Sequence, residues 1–376
     1  MILGAPCARS LRTRPACTYP AWPYNLAQVK LDLTPIRDPD SMNPQPWQLC
    51  IAPMMEWTDR HCRAFHRCLS PNARLYTEMV TTGALIHGPR ERLLAHSPCE
   101  HPVALQLGGN DPADLARCAH LAQAAGYDEV NLNVGCPSDR VQHAAIGACL
   151  MREPVRVADA LKSMRDAVDI PVTLKCRLGV DEQDDYAFLY DFVATVAPHI
   201  DALMLHARKA ILRGLSAAQN RSVPPLNYPR VHQLKVDFPQ LPVIINGGIR
   251  SVEEARVHWD DLDGVMIGRA AYQNPWLIAE LEQSLFDTSL PESPHAVLER
   301  FVPYVEAELA NGTRLHAITR HMHGLFNSLP GARRFRRHLS DHATAKHAGI
   351  DVLLEAASYV RSTQSRPSND RSMQAA

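Results

Sequence analysis

The chain has 376 residues, 46% of them hydrophobic and 21% charged, with a formal net charge of −1. That length fits a barrel-sized domain with an appendage, and the near-neutral charge excludes a global polyanion binder, so any nucleic-acid surface is local. No apolar run is long enough to span a bilayer, and ten scattered cysteines without a C-x-x-C pair read as reduced cytosolic thiols, not as a disulfide framework.

Residues 1–48 are rich in Pro and Arg and show no sustained periodicity. No apolar stretch follows Arg14 as a signal peptide requires, and Asp32, Asp38 and Asp40 argue against a transit peptide. A disordered extension, or a start at Met42, is the expectation. From Leu49 short apolar strands alternate with helical stretches. The strands are expected at Leu49–Met54, Leu75–Val80, Pro102–Gly108, Glu129–Gly135, Pro171–Arg177, Ala202–Arg208, Pro242–Gly248 and Gly264–Ala270. Eight strands with intervening helices predict a closed (β/α)8 TIM barrel over 49–290.

Helix signals agree with this. Asp111-Pro112 supplies an N-cap and an N1 proline to a helix ending at Gly126. Ser251-x-x-Glu254 is a capping box before the last strand. The connection Arg208 to Pro229 is long and polar, as functional or disordered loops are. After Trp276 only helical periodicity continues, which predicts an all-helical domain over 291–362 and a disordered tail over 363–376.

Barrel enzymes build their sites at the C-terminal ends of the strands. Those ends carry Pro53-Met54-Met55, Gln106, Asn133 with Cys136, Lys175 with Arg177, His206, Asn246-Gly247-Gly248 and Gly268-Arg269. Cys136 lies between Gly135 and Pro137 where a strand breaks. There it either meets a ligand or fills a turn as a small apolar residue. A Gly-Gly pair alone is more often a tight turn. Paired with a second glycine turn carrying Arg269, one strand later, it favours a phosphate. Lys175 could form a Schiff base or hold a negative charge. His206 could be structural, and Gln106 could meet a heterocycle edge or tie loops together. His61, Cys62, His66 and Cys68 on one helix cannot close a tetrahedral metal site, so no metal is expected. In the helical part, Arg333, Arg334, Arg336 and Arg337 surround Phe335 with few acids nearby. This pattern favours phosphate-backbone binding over a merely solvated helix face.

Together the stretches IAPMMEWTDRHCRAFHR, YTEMVTTGALIHG, QLGGNDP, EVNLNVGCPSDRVQ, GACLM, LKCRLGVD, LHARKA, NRSVPPLNY, INGGI, MIGRAAYQNPW and GARRFRRHLS resemble the tRNA-dihydrouridine synthases, most closely their bacterial A subfamily. The resemblance covers roughly Leu49 to Leu354. It implies a flavin-binding barrel followed by a helical tRNA-binding domain. It implies FMN contacts at Pro53, Met54, Met55, Gln106, Lys175, His206, Asn246, Gly247, Gly248, Gly268 and Arg269, with Cys136 as the catalytic cysteine. Asn133 and Arg177 match positions near the target uracil, and Arg221, Arg333, Arg336 and Arg337 match positions that touch tRNA. The chain departs from the family at His143-Ala144-Ala145-Ile146, where a polar-Gly-Arg-aromatic run is usual, and at Ala218, where lysine is common.

The implied activity is cytoplasmic, with NADPH reducing FMN and tRNA D-loop uridines around position 20 converted to 5,6-dihydrouridine. Hydride passes from flavin N5 to uracil C6, and Cys136 gives a proton to C5. Thiols of ordinary acidity are mostly protonated at neutral pH, as that step requires. No protein partner or membrane is implied. The rival readings are a flavin barrel acting on a free pyrimidine, an aldolase using Lys175, and a non-catalytic tRNA binder. Cys149, in GACLM, is expected to be a packing residue.

Overall fold

Eight parallel strand positions, the second of them split in two, close into a ring, and most of their residues are apolar and buried because one face meets the interior and the other the covering helices. The computed structural model describes residues 46–361. Its strands are β1 (Leu49–Ile51), β2 (Arg74–Tyr76), β3 (Val80–Thr81), β4 (Val103–Gly108), β5 (Glu129–Asn133), β6 (Val172–Arg177), β7 (Ala202–His206), β8 (Val243–Asn246) and β9 (Gly264–Ile267). The order β2-β1-β9-β8-β7-β6-β5-β4 is closed by a β2–β4 pairing, so the TIM barrel is complete. Closure sets Leu49 beside Val265 and Leu75 beside Val103.

All eight expected strands form, and the second differs in one respect. It breaks after Tyr76 and resumes as β3, which pairs only with the end of β4. At the break the Thr77 hydroxyl accepts the Gln106 backbone N–H, so a side chain replaces one ladder bond. The helix expected after Asp111 runs Pro112–Ala124, with the Asp111 carboxylate accepting the Asp114 N–H. Ser251 caps Val252–Trp259 by accepting from Glu254 N–H. The return bond of that box goes one residue further back, from Arg250 N–H to the Glu254 carboxylate.

Closure decides where the polar half of each strand goes. Cys50, Tyr76, Ala104, Ala202, Met204, Ile244 and Met266 pack together in the interior. By strand alternation Glu129, Asn131 and Asn133 of β5, Gln106 of β4 and Thr173 of β6 point the same way. Glu129, Asn131 and Thr173 are fully buried. Trp47 lies against this interior and donates from Nε1 to the Glu129 carboxylate at 2.8 Å. The expected 1–48 extension therefore ends in packed chain, because Trp47 and Gln48 are held by the barrel. The expectations for 1–45 and for the tail from 362 lie outside the described residues.

After β9 the described chain is helical: Arg269–Gln273, Trp276–Phe286, Pro294–Ala310, Leu315–Thr319, Ala332–His342 and Ile350–Ser358. The expected boundary at 290/291 falls between the second and third of these. Arg60 makes paired bonds to Glu308 at 2.8 and 2.6 Å, and His61 Nδ1 meets the Tyr304 hydroxyl at 2.8 Å. Phe65 packs on Phe301. Cys62 and His66 are buried against each other, and Cys68 Sγ donates to the Ala64 carbonyl at 3.5 Å. Among the described residues no group of three or more His, Cys, Asp or Glu could hold a metal ion. No helix there is long and apolar enough to cross a membrane.

Candidate active site

The register brings the strand-end residues side by side. Asn133 lies opposite Lys175, Arg177 opposite His206, His206 opposite Asn246, and Asn246 opposite Met266. Lys175 Nζ donates to Asn246 Oδ1 at 3.0 Å, and Asn246 Nδ2 donates to the Met266 carbonyl at 2.7 Å. Burial, reinforced by Arg177, lowers the Lys175 pKa to about 8. The amine is therefore still mostly an ammonium at pH 7, with no carboxylate holding it.

His206 is pushed the same way. Burial comes first, then the charges of Arg177, Lys175, Arg208 and Arg269, and the imidazole is held neutral. Its Nδ1 is buried without a hydrogen-bond partner. A neutral imidazole with an unused nitrogen, surrounded by cations, is a place prepared for a polar or anionic group. The Nε of Arg208 is a second buried donor without a partner. In the sequence Arg208 is only the point where an expected strand meets a long loop, with no role assigned to it.

The two glycine turns differ. Gly247 and Gly248 take φ of 111° and 83°, a region other residues rarely occupy. A Cβ on Gly248 would sit 2.4 Å from the Tyr228 hydroxyl, and one on Gly247 would sit 3.2 Å from the His206 ring. At Gly268 the nearest atoms to an added Cβ are 3.8 Å away on Ala52 and 4.0 Å away on Met54. The first turn is closed by its own neighbours, whereas the second has room beside it. Pro53 and Met54 are half-buried beside it, and Met55 is 58% exposed. Arg269 is exposed and donates to the Arg221 carbonyl at 3.0 Å, which joins the two cations at the rim.

Arg177 does something else. It is 4% exposed; its Nε donates to the Gly135 carbonyl at 2.8 Å, and its Nη1 donates to the carbonyls of Lys209 and Asn220 at 3.0 and 3.1 Å. It clamps the loop after β5 to the loop after β7, with burial lowering its pKa to about 10. The long loop is built on buried Asn220, whose amide exchanges hydrogen bonds with the backbone of Ile211 at 2.8 Å. Sequence reasoning missed Asn220, and only its place amid a polar loop could have marked it.

Cys136 is half-buried and held from several sides. Its N–H and that of Gly135 donate to Asn133 Oδ1 at 3.0 and 3.1 Å, and its carbonyl accepts from Ala148 N–H at 2.9 Å. A Cβ on Gly147 would come 2.6 Å from the Cys136 carbonyl oxygen, so glycine lets the chain close over the loop. The Sγ lies 3.6 Å from the Ser138 hydroxyl. Cys149 is also half-buried, its Sγ donating to the Ile146 carbonyl at 3.3 Å, and burial raises its pKa.

The arginines of Ala332–His342 divide by face. Arg333 and Arg337 are exposed, the latter close to Asp341. Arg336 donates to Asn327 Oδ1 at 3.2 Å, and Asn327 in turn donates to the Gln273 carbonyl, at the end of the helix that Arg269 opens. Arg334 stacks on Tyr359 at 4.4 Å, and Phe335 is fully buried. The barrel-end residues are thus brought together by the strand register, while this helix reaches the barrel end through Arg336, Asn327 and the Gln273 carbonyl.

The family model described as dihydrouridine synthase matches residues 50–361. A Vibrio cholerae protein named tRNA-dihydrouridine(20/20a) synthase is 56% identical over 312 residues, covering 82% of this chain and 95% of its own. One of the same name from Escherichia coli K12 is 58% identical over 309 residues, covering 81% of this chain and 89% of its own. Among solved structures, morphinone reductase aligns with 66% of this chain and 88% of its own at 12% identity and a TM-score of 0.46, too low to bear on the chemistry.

Proposed function

Since this chain belongs to the dihydrouridine synthase family, we propose that it reduces D-loop uridines near position 20 of tRNA to 5,6-dihydrouridine in the cytoplasm, using FMN and NADPH. The observation that carries the proposal is a half-buried thiol, Cys136, fixed by its own backbone bonds in a barrel mouth otherwise lined by cations and donors.

The residues present fit FMN. His206 Nδ1 and the Arg208 Nε–H are buried polar groups without a hydrogen-bond partner, and the open space at Gly268 is flanked by Arg269. Pro53, Met54 and Met55 would line the cofactor, Gln106, Lys175, His206 and Asn246 would meet its polar edges, and Gly247, Gly248, Gly268 and Arg269 would hold its phosphate. Bound and reduced by NADPH, FMN would supply a hydride to C6 of the uracil.

The chain's own residues do the rest. Cys136 gives a proton to C5 as charge develops there. Lys175, still largely an ammonium below its pKa of about 8, stabilises negative charge in the mouth. Asn133 orients the uracil, and Arg177 keeps the Cys136 loop against the long loop. The uridine must leave its stack to reach this pocket, at a cost of roughly a few kcal/mol. Arg221 at the rim and Arg333, Arg336 and Arg337 on the helical surface contribute that binding energy through phosphate contacts.

The test separates the half-reactions in wild type and Cys136→Ala. Wild-type protein is expected to purify with flavin absorbance. The variant should keep its flavin and its reduction by NADPH, while dihydrouridine formation in tRNA falls by roughly 10²–10⁴-fold. Folded protein that takes up no flavin, or a variant that modifies tRNA normally, refutes the assignment.

A further inference from the structure

The polar residues inside the barrel form a single file. Thr173 donates from its hydroxyl to Glu129 Oε1. Asn131 Nδ2 donates to Thr173 Oγ1, Gln106 Nε2 donates to Asn131 Oδ1, and Asn133 Nδ2 donates to Gln106 Oε1, each at 2.8 Å. At the mouth, Asn133 Oδ1 accepts the N–H groups of Gly135 and Cys136. Four side chains on three strands thus connect a carboxylate at the floor to the backbone of Cys136.

We propose that Glu129, Thr173 and Asn131 are positioning residues, a one-way hydrogen-bond column that dictates which atoms Gln106 and Asn133 present at the mouth and so holds Cys136 in place. That Cys136 is the proton donor rests on the function proposed above, but the column does not.

Both ends impose the same direction. At the floor Glu129 also faces the indole N–H of Trp47, the hydroxyl of Tyr76 and the guanidinium of Arg74, so it acts only as an acceptor. Thr173 must therefore donate its O–H to the carboxylate, which leaves the Thr173 oxygen free to accept from Asn131. Asn131 then turns its oxygen to Gln106, and Gln106 turns its oxygen to Asn133. At the top two backbone N–H groups demand the Asn133 oxygen, and the column delivers it. A flipped amide anywhere sets donor against donor where water cannot intervene, because Gln106 and Asn131 are buried with Thr173 and Glu129. The remaining amide N–H groups of Gln106 and Asn133 are left for the mouth, so the same direction makes it a donor surface.

An ordinary satisfied polar core would cost stability wherever it was cut, with no special effect at residue 136. A column carries the damage to one end. Thr173→Val keeps the shape and removes the hydroxyl, and Thr173→Ser keeps the hydroxyl. In the full-length holoenzyme, amide hydrogen exchange over 134–138 and alkylation of Cys136 by iodoacetamide, located by peptide mass, should each rise about tenfold in Thr173→Val. Dihydrouridine formation should lose about tenfold in kcat with KM for tRNA changed less than twofold. Thr173→Ser should restore all three.

Glu129→Gln is the second variant. Its oxygen stays with the Trp47 N–H and the Arg74 charge, so its amide takes the place shared by Tyr76 and Thr173. The Tyr76 hydroxyl turns to Met204 Sδ, the amide N–H turns to Thr173 and the file reverses, with the same rise expected at 134–138. Exchange that rises only around residue 173, or evenly through the barrel, overturns the proposal, as does an unchanged Cys136 in whichever variant folds. Exchange and alkylation need neither RNA nor NADPH. A wild type without tRNA activity would sink the proposed function alone, and an active wild type with an insensitive Cys136 would sink the column alone.

Discussion

Ala145 is held at φ +52°, one turn away from the thiol. Asn110 fixes that turn by donating from Nδ2 to the carbonyls of Ala144 and Ala145, the latter at 3.0 Å. A side chain in the left-handed region costs about 1–2 kcal/mol, and here it lies in the His143–Ile146 run singled out in the sequence. Ala145→Gly removes that strain but adds freedom to the unfolded chain, worth about 0.4–1 kcal/mol in the other direction. The net expectation is a gain of about 0.5–1 kcal/mol in urea unfolding, with activity unchanged. A loss of stability would show that the methyl group makes an interaction stronger than the strain. The adjoining Ile146 is buried and Gly147 lies against the Cys136 carbonyl.

For the helix Ala332–His342 the question is which arginines are free to meet RNA. Replacing Arg333 and Arg336 with alanine should weaken tRNA binding and flatten its log–log salt dependence by about 0.7–0.9 for each phosphate that is no longer neutralised. Titration of labelled tRNA at several salt concentrations measures this, and an unchanged slope would reduce the cluster to a solvated face. The charge density of that helix was legible in the sequence; its division was not. Phe335, the one aromatic among those arginines, is buried, and Arg334 is taken by Tyr359. Phe335 packs edge-on against Phe326, and Tyr359 caps the helix Ile350–Ser358. The strands show the same limit. Val130 and Leu132 announce β5 by their period, and the glycines and cations at the strand ends announce the mouth. Glu129, Asn131 and Thr173 carry no such signal. In an open sheet their face would meet water, and only closure turns it into the interior. The interruption between β2 and β3 was hidden for a related reason, since Thr77 replaces a backbone partner with its own hydroxyl.

Across the whole molecule, Asp59 joins barrel to helices. It caps Arg60–Arg67 by accepting from the N–H groups of His61 and Cys62, and it meets Arg320 at 2.9 Å and His321 at 3.0 Å. Arg320 also donates to the Glu56 carbonyl, so the loop after β1 is tied to the same point. Burial works to raise the Asp59 pKa, but the His321 hydrogen bond and charge, with the Cys62 N–H, hold it well below the usual carboxylate range. A depressed folded-state pKa contributes stability that is complete above the unfolded value near 4 and is lost as the pH falls below it. Asp59→Ala should therefore cost about 2–4 kcal/mol at pH 7. That gap should narrow by about 1 kcal/mol by pH 3, as compared by urea unfolding at the two values; a constant gap would leave only the cap as its cause. The pairing of Leu49 with Val265 has a consequence in time. About 200 residues separate β1 from β9, and at roughly 5–20 residues per second the ribosome takes about ten to forty seconds to cover them. Through that interval one edge of Leu49–Ile51 stays bare, and Glu129 and Asn131 have no interior to occupy. The thiol loop is thus synthesised early and set late, when the last strand arrives to shut out the water.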